Sequence, residues 1–170
     1  MRALVLADTH LGSSTLDRLP DEVWRMAAES DVVLHAGDVV DPAVLAALSE
    51  RAPVHAVLGN NDHGLAGHLP ERLEVELGGV AVGMVHDSGS TPGRRDRLRR
   101  WFPTARVVVF GHSHDPLVDD RDGLLLLNPG SPTQRRRQPV HTVARLEVGG
   151  GSARAEVVPV GPRAVRWRGS

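Results

Sequence analysis

The sequence predicts an α/β protein, a four-layer α/β/β/α sandwich of two mixed sheets flanked by helices. Three observations predict this fold. Short apolar runs alternate with amphipathic helical segments through the first 58 residues, which indicates parallel strands joined by right-handed crossovers. Apolar and half-polar strands joined by glycine-rich turns then fill the second half. A length of 170 residues with 41% apolar content suits one ordinary core, so two sheets facing each other is the economical packing.

The first half contains three strands and two helices. Proline and acidic residues at 20–22 mark the start of the first helix, whose buried stripe is expected to be Val23, Met26 and Ala27. Asp41 is expected to cap the second helix, with Pro42 in its first position. The strands are expected at residues 3–7, 32–36 and 54–58, and His35 and His55 inside them are expected to be packed and hydrogen-bonded.

The second half is expected to supply six strands and one helix. The strands are predicted at residues 73–77, 80–85, 106–110, 123–127, 141–148 and 153–158, with glycine turns at 78–79 and 149–151. The helix at 91–101 carries five arginines, which are expected to form a solvated face. Trp24, Trp101 and Trp167 are expected to be packing anchors. Residues 1–158 are thus predicted to form a single domain, with residues 159–170 as a C-terminal tail.

Composition narrows the class of function. The formal net charge of −1 and the pI near 6.8 give no general attraction for polyanions, so nucleic acid is not expected as a partner. The sequence contains no cysteine, which excludes disulfides, thiolate metal ligands and a cysteine nucleophile and favours a cytoplasmic location. The first strand leaves no room for a signal peptide, and the apolar runs are too short to span a membrane. Exposed apolar strand edges could support a homo-oligomer, so the oligomeric state stays open.

Polar residues follow five of the predicted strands. The carboxyl ends of strands in an open α/β sheet are where ligands gather, so these side chains are expected to converge. The candidate metal ligands are the seven donors Asp8, His10, Asp38, Asn60, His86, His112 and His114. Seven donors are too many for one ion, but two metals roughly 3.5–4 Å apart would use them all. Asp38 is the natural bridging ligand because it follows the middle of the three parallel strands.

The mixture of carboxylate, amide and imidazole donors bears on the identity of the metals. Calcium and magnesium prefer oxygen ligands alone, whereas softer divalent ions accept imidazole. Two divalent ions are therefore expected, with manganese first and iron, cobalt, nickel or zinc as alternatives.

These motifs resemble, in order and spacing, the signature of the calcineurin-like metallophosphoesterases. The matching segments are Asp8-x-His10, Gly37-Asp38, Gly59-Asn60-x-Asp62, His86 and Gly111-His112-x-His114. Together with Asn128-Pro129-Gly130-Ser131 and the short length, they are similar to the small bacterial and archaeal phosphodiesterase branch. The resemblance covers residues 1–148. It implies one metal held by Asp8, His10 and His114, another held by Asn60, His86 and His112, and Asp38 bridging both.

The same resemblance implies hydrolysis of a small phosphate ester, most simply a diester, by in-line attack of a metal-bridging hydroxide on phosphorus. Two alternatives stay open. One is a nuclease, which the lack of net positive charge disfavours. The other is a non-catalytic scaffold, similar to the retromer subunit of this fold that has lost metal ligands.

Asn61 departs from the family pattern. Many relatives have histidine at this position, where it resembles a general acid, and an amide cannot donate a proton in that way. Asn61 is expected to orient a phosphate oxygen, and His63 is a possible substitute acid or an exposed loop histidine. Among the arginines at 135–137, Arg135 is a candidate to hold a phosphate at the cleft rim, with a charged loop as the alternative.

Overall fold

The computed structural model describes residues 1–161. In chain order the strands are β1 (Arg2–Leu6), β2 (Val32–His35), β3 (Val54–Ala56), β4 (Arg72–Leu77), β5 (Val80–Val85), β6 (Val107–Val109), β7 (Leu117–Arg121), β8 (Leu124–Asn128), β9 (His141–Gly149) and β10 (Ser152–Val160). The α-helices are α1 (Asp21–Ala28), α2 (Pro42–Ser49) and α3 (Arg94–Trp101), and short 3-10 helices cover Ser13–Arg18 and His63–Leu65.

The strands form two five-stranded mixed sheets. The first has the order β10-β9-β1-β2-β3, with β1, β2 and β3 parallel and β9 and β10 antiparallel. The second has the order β4-β5-β6-β8-β7, with β5, β6 and β8 parallel and an antiparallel strand at each edge. Strand β2 is the middle parallel strand of the first sheet, as predicted.

Three apolar layers separate the sheets and helices. Val5 and Leu34 of the first sheet meet Val82 and Val109 of the second in the central layer. The helices α1 and α2 pack on the outer face of the first sheet, and α3 packs through Leu98 on the outer face of the second. The predicted α/β/β/α sandwich is thereby confirmed.

The two helix starts follow from local chemistry. Asp41 caps α2 by accepting a hydrogen bond of 2.8 Å from the backbone N–H of Ala43, and Pro42 occupies the first helical position. In α1 the predicted stripe of Val23, Met26 and Ala27 is buried. Both helices therefore present an apolar side to the first sheet.

The sequence pattern did not predict strand β7. Asp119 and Asp120 interrupt any apolar alternation, so the strand forms because β8 pairs with it. Arg95 of α3 also holds it, donating hydrogen bonds to the carbonyl oxygens of Asp119, Arg121 and Leu124. The expectation that the arginines of this helix form a solvated face is wrong for Arg95.

The expectation of a solvated arginine face is also wrong for Arg97. Its guanidinium donates hydrogen bonds to the carbonyl oxygens of Ser88 and Ser90, in the loop that follows β5. Arg95 and Arg97 thus hold a hairpin and a loop by hydrogen bonds to backbone carbonyl oxygens. These partners cannot be identified from the charge pattern of the helix.

The C-terminal hairpin extends beyond its predicted end. Pro159 pairs with Thr142 and Val160 pairs with His141, so these two residues of the expected tail belong to β10. The remainder of that tail, residues 162–170 with Trp167, lies outside the described residues, and the domain boundary stays a prediction. No helix within residues 1–161 is both long and apolar enough to cross a membrane.

Candidate metal centre

The structure brings the seven predicted donors together where the two sheets end side by side. Asp8 and His10 follow β1, Asp38 follows β2, and Asn60 lies shortly after β3. From the second sheet, His86 follows β5, and His112 and His114 lie shortly after β6. Because the parallel strands of each sheet end at one edge, loops distant in sequence meet there.

Most of these donors lie on strained backbone. Left-handed φ values are rare for residues other than glycine, and each costs on the order of 1–3 kcal/mol unless surrounding contacts enforce it. Five of the seven donors have such values: Asp8 (55°), His10 (46°), Asp38 (57°), His112 (69°) and His114 (59°). The fold therefore holds these loops in tight turns that aim their side chains at a common point.

Two glycines permit the close approach of the loops. Gly37 has φ 87°, and a Cβ there would lie 2.7 Å from Nδ1 of His86 and 2.9 Å from the backbone of Gly59. A Cβ on Gly59 would lie 2.1 Å from the backbone nitrogen of Asp38. The Gly37-Asp38 and Gly59-Asn60 motifs thus have a steric basis in addition to their polar side chains.

A first group of donors is formed by Asp8, His10 and His114. The Nε2 atoms of the two histidines lie 3.4 Å apart, and Nε2 of His114 lies 3.4 Å from Oδ1 of Asp8. Nδ1 of His114 faces the carbonyl oxygen of Gln134, which can only accept, so this nitrogen carries the proton. The lone pair on Nε2 is thereby turned towards the other two ligands, and the three atoms could hold one ion.

A second group surrounds Asn60. Oδ1 of Asn60 lies 3.0 Å from Nε2 of His86 and 2.9 Å from Nδ1 of His112. Nδ1 of His86 lies 2.7 Å from the carbonyl oxygen of Ala36, which again fixes the proton and leaves Nε2 free to bind. Nε2 of His86 also lies 3.4 Å from Oδ1 of Asp38. One amide oxygen, one carboxylate oxygen and two imidazoles thus face a second position.

The Asp38 carboxylate lies between the two groups. Its Oδ2 is 3.4 Å from Nε2 of His10, while its Oδ1 is 3.4 Å from Nε2 of His86. Asn61 fixes the orientation by donating from its backbone N–H to Oδ1 (2.9 Å) and from its side-chain amide to Oδ2 (2.7 Å). Each carboxylate oxygen therefore faces a different group, which is the arrangement that a bridging ligand needs.

The electrostatics of the site fit divalent cations. Oδ2 of Asp8 is buried and has no hydrogen-bond partner among residues 1–161, and burial raises the pKa of Asp8 to about 7. Burial also opposes ionisation of Asp38, but the adjacent His86 imidazole and the hydrogen bonds donated by Asn61 hold its pKa below the usual range. An unpartnered buried carboxylate oxygen and converging imidazole lone pairs are stabilised by bound cations. The residues present fit such ions.

Asp62 and Ser131 brace the centre from behind. The buried carboxylate of Asp62 accepts hydrogen bonds from the backbone N–H groups of Asp38 (3.0 Å), Val40 (2.6 Å) and Gly59 (2.7 Å). Ser131 donates to the carbonyl oxygen of Asp8 at 2.7 Å. Both residues belong to motifs noted in the sequence, but their bracing role was missed because backbone partners cannot be identified before the loops meet.

Asn61 thus lies at the centre, whereas the predicted substitute acid His63 and the predicted phosphate ligand Arg135 lie at the periphery. His63 is exposed in the 3-10 helix, and Arg135 donates to the carbonyl oxygen of Gln138. Within residues 1–161, no hydrogen bond or ion pair joins either side chain to the seven donors. Arg136, which the sequence did not distinguish from its neighbours, donates to the carbonyl oxygen of His112 at 3.2 Å and is therefore closer to the centre.

His35 packs directly behind the site, as expected. It is fully buried, Nε2 lies 3.1 Å from Oγ1 of Thr9, and burial lowers the pKa of His35 from 6.5 to about 3. The unfolded chain therefore takes up this proton first as the pH falls. We expect this residue to decrease the free energy of unfolding between about pH 6.5 and 3, by roughly 1 kcal/mol per pH unit.

The check is urea unfolding in EDTA across this range for the parent, His35→Gln and the exposed-histidine control His68→Gln. Buried Asp8 acts with the opposite sign, because its raised pKa adds stability that is lost as the pH rises, so slopes are compared between variants. The free energy of unfolding of His35→Gln should depend less steeply on pH than that of the parent. Equal slopes would contradict the assignment of this proton to His35.

Comparison with known proteins agrees with the geometry. The family model described as the calcineurin-like phosphoesterase superfamily domain matches residues 1–151. A probable metallophosphoesterase of Methanocaldococcus jannaschii is 34% identical over 160 residues, covering 92% of this chain and 80% of the relative.

Two solved structures are also similar to the chain. A predicted phosphoesterase from Streptococcus pneumoniae superposes with a TM-score of 0.73 at 28% identity, covering 95% of this chain and 92% of that one. Wild-type Vps29 complexed with zinc, from Entamoeba histolytica, superposes with a TM-score of 0.68 at 25% identity, covering 94% and 99%. The extent of these matches, together with the five ordered motifs, shows that the chain belongs to the calcineurin-like phosphoesterase superfamily.

Proposed function

We propose that the protein is a phosphodiesterase that uses two divalent metal ions to hydrolyse small phosphate diesters. The observation that carries this proposal is the Asp38 carboxylate, whose two oxygens each lie 3.4 Å from an imidazole of a different donor group. The zinc bound by the similar Vps29 chain supports metal binding at such a fold. Manganese is the expected ion, and the mixed donor set also suits iron, cobalt, nickel or zinc.

The chain's residues prepare the site for an anionic substrate. When bound, the cations would supply Lewis acidity and lower the pKa of water to about 7. Asp38 lies between the two positions and Asn60 faces one of them, while Asn61 keeps the Asp38 carboxylate oriented and presents its amide to a phosphate oxygen. Arg136, beside His112, adds one guanidinium at the rim. One such side chain matches the single negative charge of a diester.

The decisive experiment measures metal content and turnover together. Full-length protein stripped with EDTA is reloaded with Mn²⁺, Zn²⁺, Co²⁺, Ni²⁺ or Fe²⁺ and assayed with bis(4-nitrophenyl) phosphate and 4-nitrophenyl phosphate. We expect two ions per chain, recovery of activity with the metal, and faster turnover of the diester. No turnover with any of the metals would overturn the proposal and favour the non-catalytic scaffold.

A nuclease is the alternative that shares the chemistry. Its binding to DNA would depend steeply on salt because cationic side chains release counterions from the phosphates. The formal net charge of −1 does not favour this behaviour. Cleavage of a DNA duplex at rates comparable to those of the small diester would support the nuclease.

Arg136, rather than Arg135, is proposed to contact the substrate phosphate. Arg136→Ala is expected to raise KM for the diester about 10-fold, as loss of a charge-assisted hydrogen bond does, with little change in kcat. Arg135→Ala is the matched control, since its guanidinium is bonded to Gln138 instead. A larger KM effect in the control would reverse the assignment.

His63 is proposed as the proton donor to poor leaving groups. It follows Asp62 on the loop that also carries Asn60 and Asn61. His63→Ala should slow hydrolysis of an alkyl diester at least about 10-fold while leaving an aryl diester unchanged, because 4-nitrophenolate leaves without a proton. His68→Ala, an exposed histidine five positions away in the sequence, is the control. If the variant and the parent cleave both ester types equally well, His63 is not the acid.

A further inference from the structure

A cleft of about 300 Å³ opens from one side of the candidate metal centre, between the end of β3 and the start of β4. At its inner end it is lined by Asn60 and His86, which also belong to the centre. At its outer end it is lined by Arg72 and Trp101. The volume lies at the lower end of the range for ligand clefts, about 300–1,000 Å³. A group held here would be continuous with a phosphate held at the metals.

The outer end of the cleft is a stacked pair. The guanidinium carbon of Arg72 lies 3.8 Å from the ring centroid of Trp101. Trp101 ends α3 and is half-buried against the core of the second sheet, so its position is set by packing. Arg72 opens β4 and pairs with Val85, directly before His86. The guanidinium therefore covers one face of the indole, and the planar outer face of this stack is fixed to β4, which pairs with the strand that places the metal ligand.

Charge at the rim restricts the occupant. Glu71 and Asp87 also line the cleft and are exposed, so two carboxylates stand against the one guanidinium of Arg72. This balance disfavours a second phosphate or a polynucleotide backbone. Carboxylates do accept hydrogen bonds from the ring and exocyclic N–H groups of a nucleobase, and bases stack on indole and guanidinium planes. A flat, uncharged, nitrogen-rich ring fits these features.

We propose that the cleft binds the nucleobase of a nucleoside phosphodiester whose phosphate lies at the metal centre. The inference rests on the proposed phosphodiesterase function and names its substrate class. Trp101 serves both as the predicted packing anchor and, with Arg72, as the platform on which the base stacks.

The test compares two diesters with the same scissile bond. Thymidine 5′-(4-nitrophenyl) phosphate carries a base, whereas methyl 4-nitrophenyl phosphate does not, and both release 4-nitrophenolate. The metal-loaded protein should have a higher kcat/KM for the thymidine ester. Arg72→Ala and Trp101→Phe should lower that value about 5- to 100-fold, the range found for loss of base stacking, and leave the methyl ester unchanged.

Arg51→Ala provides a matched control, because Arg51 stacks over Trp24 at 4.5 Å among residues that do not line this cleft. It should change neither ester. Equal losses for both esters in Arg72→Ala and Trp101→Phe, or no preference in the parent, would overturn the inference while leaving the phosphodiesterase proposal standing.

A binding measurement separates the two proposals. Adenosine 5′-monophosphate is titrated into the ¹⁵N-labelled protein loaded with diamagnetic Zn²⁺, and the indole N–H resonance of Trp101 is followed by NMR, with Trp101→Phe assigning the signal. A saturable shift that is lost in Arg72→Ala supports nucleobase binding in the cleft, even if neither ester is hydrolysed. In that case only the proposed phosphodiesterase function fails. If the Trp101 resonance does not shift in a protein that hydrolyses the methyl ester, only the inference that the cleft binds a nucleobase is overturned.

Discussion

Replacement of Asp38 by asparagine is expected to lower diester hydrolysis by about 10²- to 10³-fold, the scale seen when a group that stabilises transition-state charge is removed. The amide keeps the shape of the side chain but removes the negative charge that faces both donor groups through its two oxygens. The metal content should fall below two ions per chain. Both quantities are read on the same preparation, by elemental analysis and by initial rates with bis(4-nitrophenyl) phosphate.

Asp17→Asn is the control for this prediction, since Asp17 is exposed in the first 3-10 helix. The control should keep both the rate and the metal content of the parent. Urea unfolding in EDTA establishes whether Asp38→Asn is folded. A folded Asp38→Asn protein that still holds two ions and turns over at the parental rate would show that this carboxylate does not bridge metals.

Replacement of Asp62 by alanine is expected to lower the free energy of unfolding by about 3–5 kcal/mol, even without metal. The carboxylate is 1% exposed and accepts hydrogen bonds from three backbone N–H groups, which would lose their partner. Two of these N–H groups belong to Asp38 and Gly59, in the loops that carry the proposed bridging carboxylate and Asn60. Diester turnover should therefore fall together with stability.

Asp41→Ala is the comparison for Asp62→Ala, because Asp41 also accepts from two backbone N–H groups, those of Ala43 and Ser13, but in a more exposed position. As an ordinary helix cap it should cost about 1 kcal/mol and leave turnover intact. Urea unfolding in EDTA gives both values. If both variants lose the same free energy of unfolding, burial of the Asp62 carboxylate adds nothing to its stabilising effect.

The strands that form the centre could be predicted because local pattern and final environment agree. The runs before Asp8 and Asp38 are apolar and continuous, and strands buried on both faces have this composition. Strand β7 could not be predicted, since its residues are polar and its pairing depends on β8 and on Arg95 of a distant helix. The arginines of α3 were misjudged for the same reason, because their carbonyl partners come from other loops.

The sequence by itself predicted the seven donors that meet in the structure, because metal-binding chemistry is limited to few residue types and strand ends can be read from apolar runs. It also determined the family, through motifs whose order and spacing are specific. The tertiary structure alone decided which atoms face each other. It turned Asn61 onto the Asp38 carboxylate, brought Arg136 rather than Arg135 beside His112, and joined Arg72 to Trp101 at the mouth of a cleft. These contacts join loops far apart along the chain, so their geometry depends on how the two sheets pack and not on local pattern.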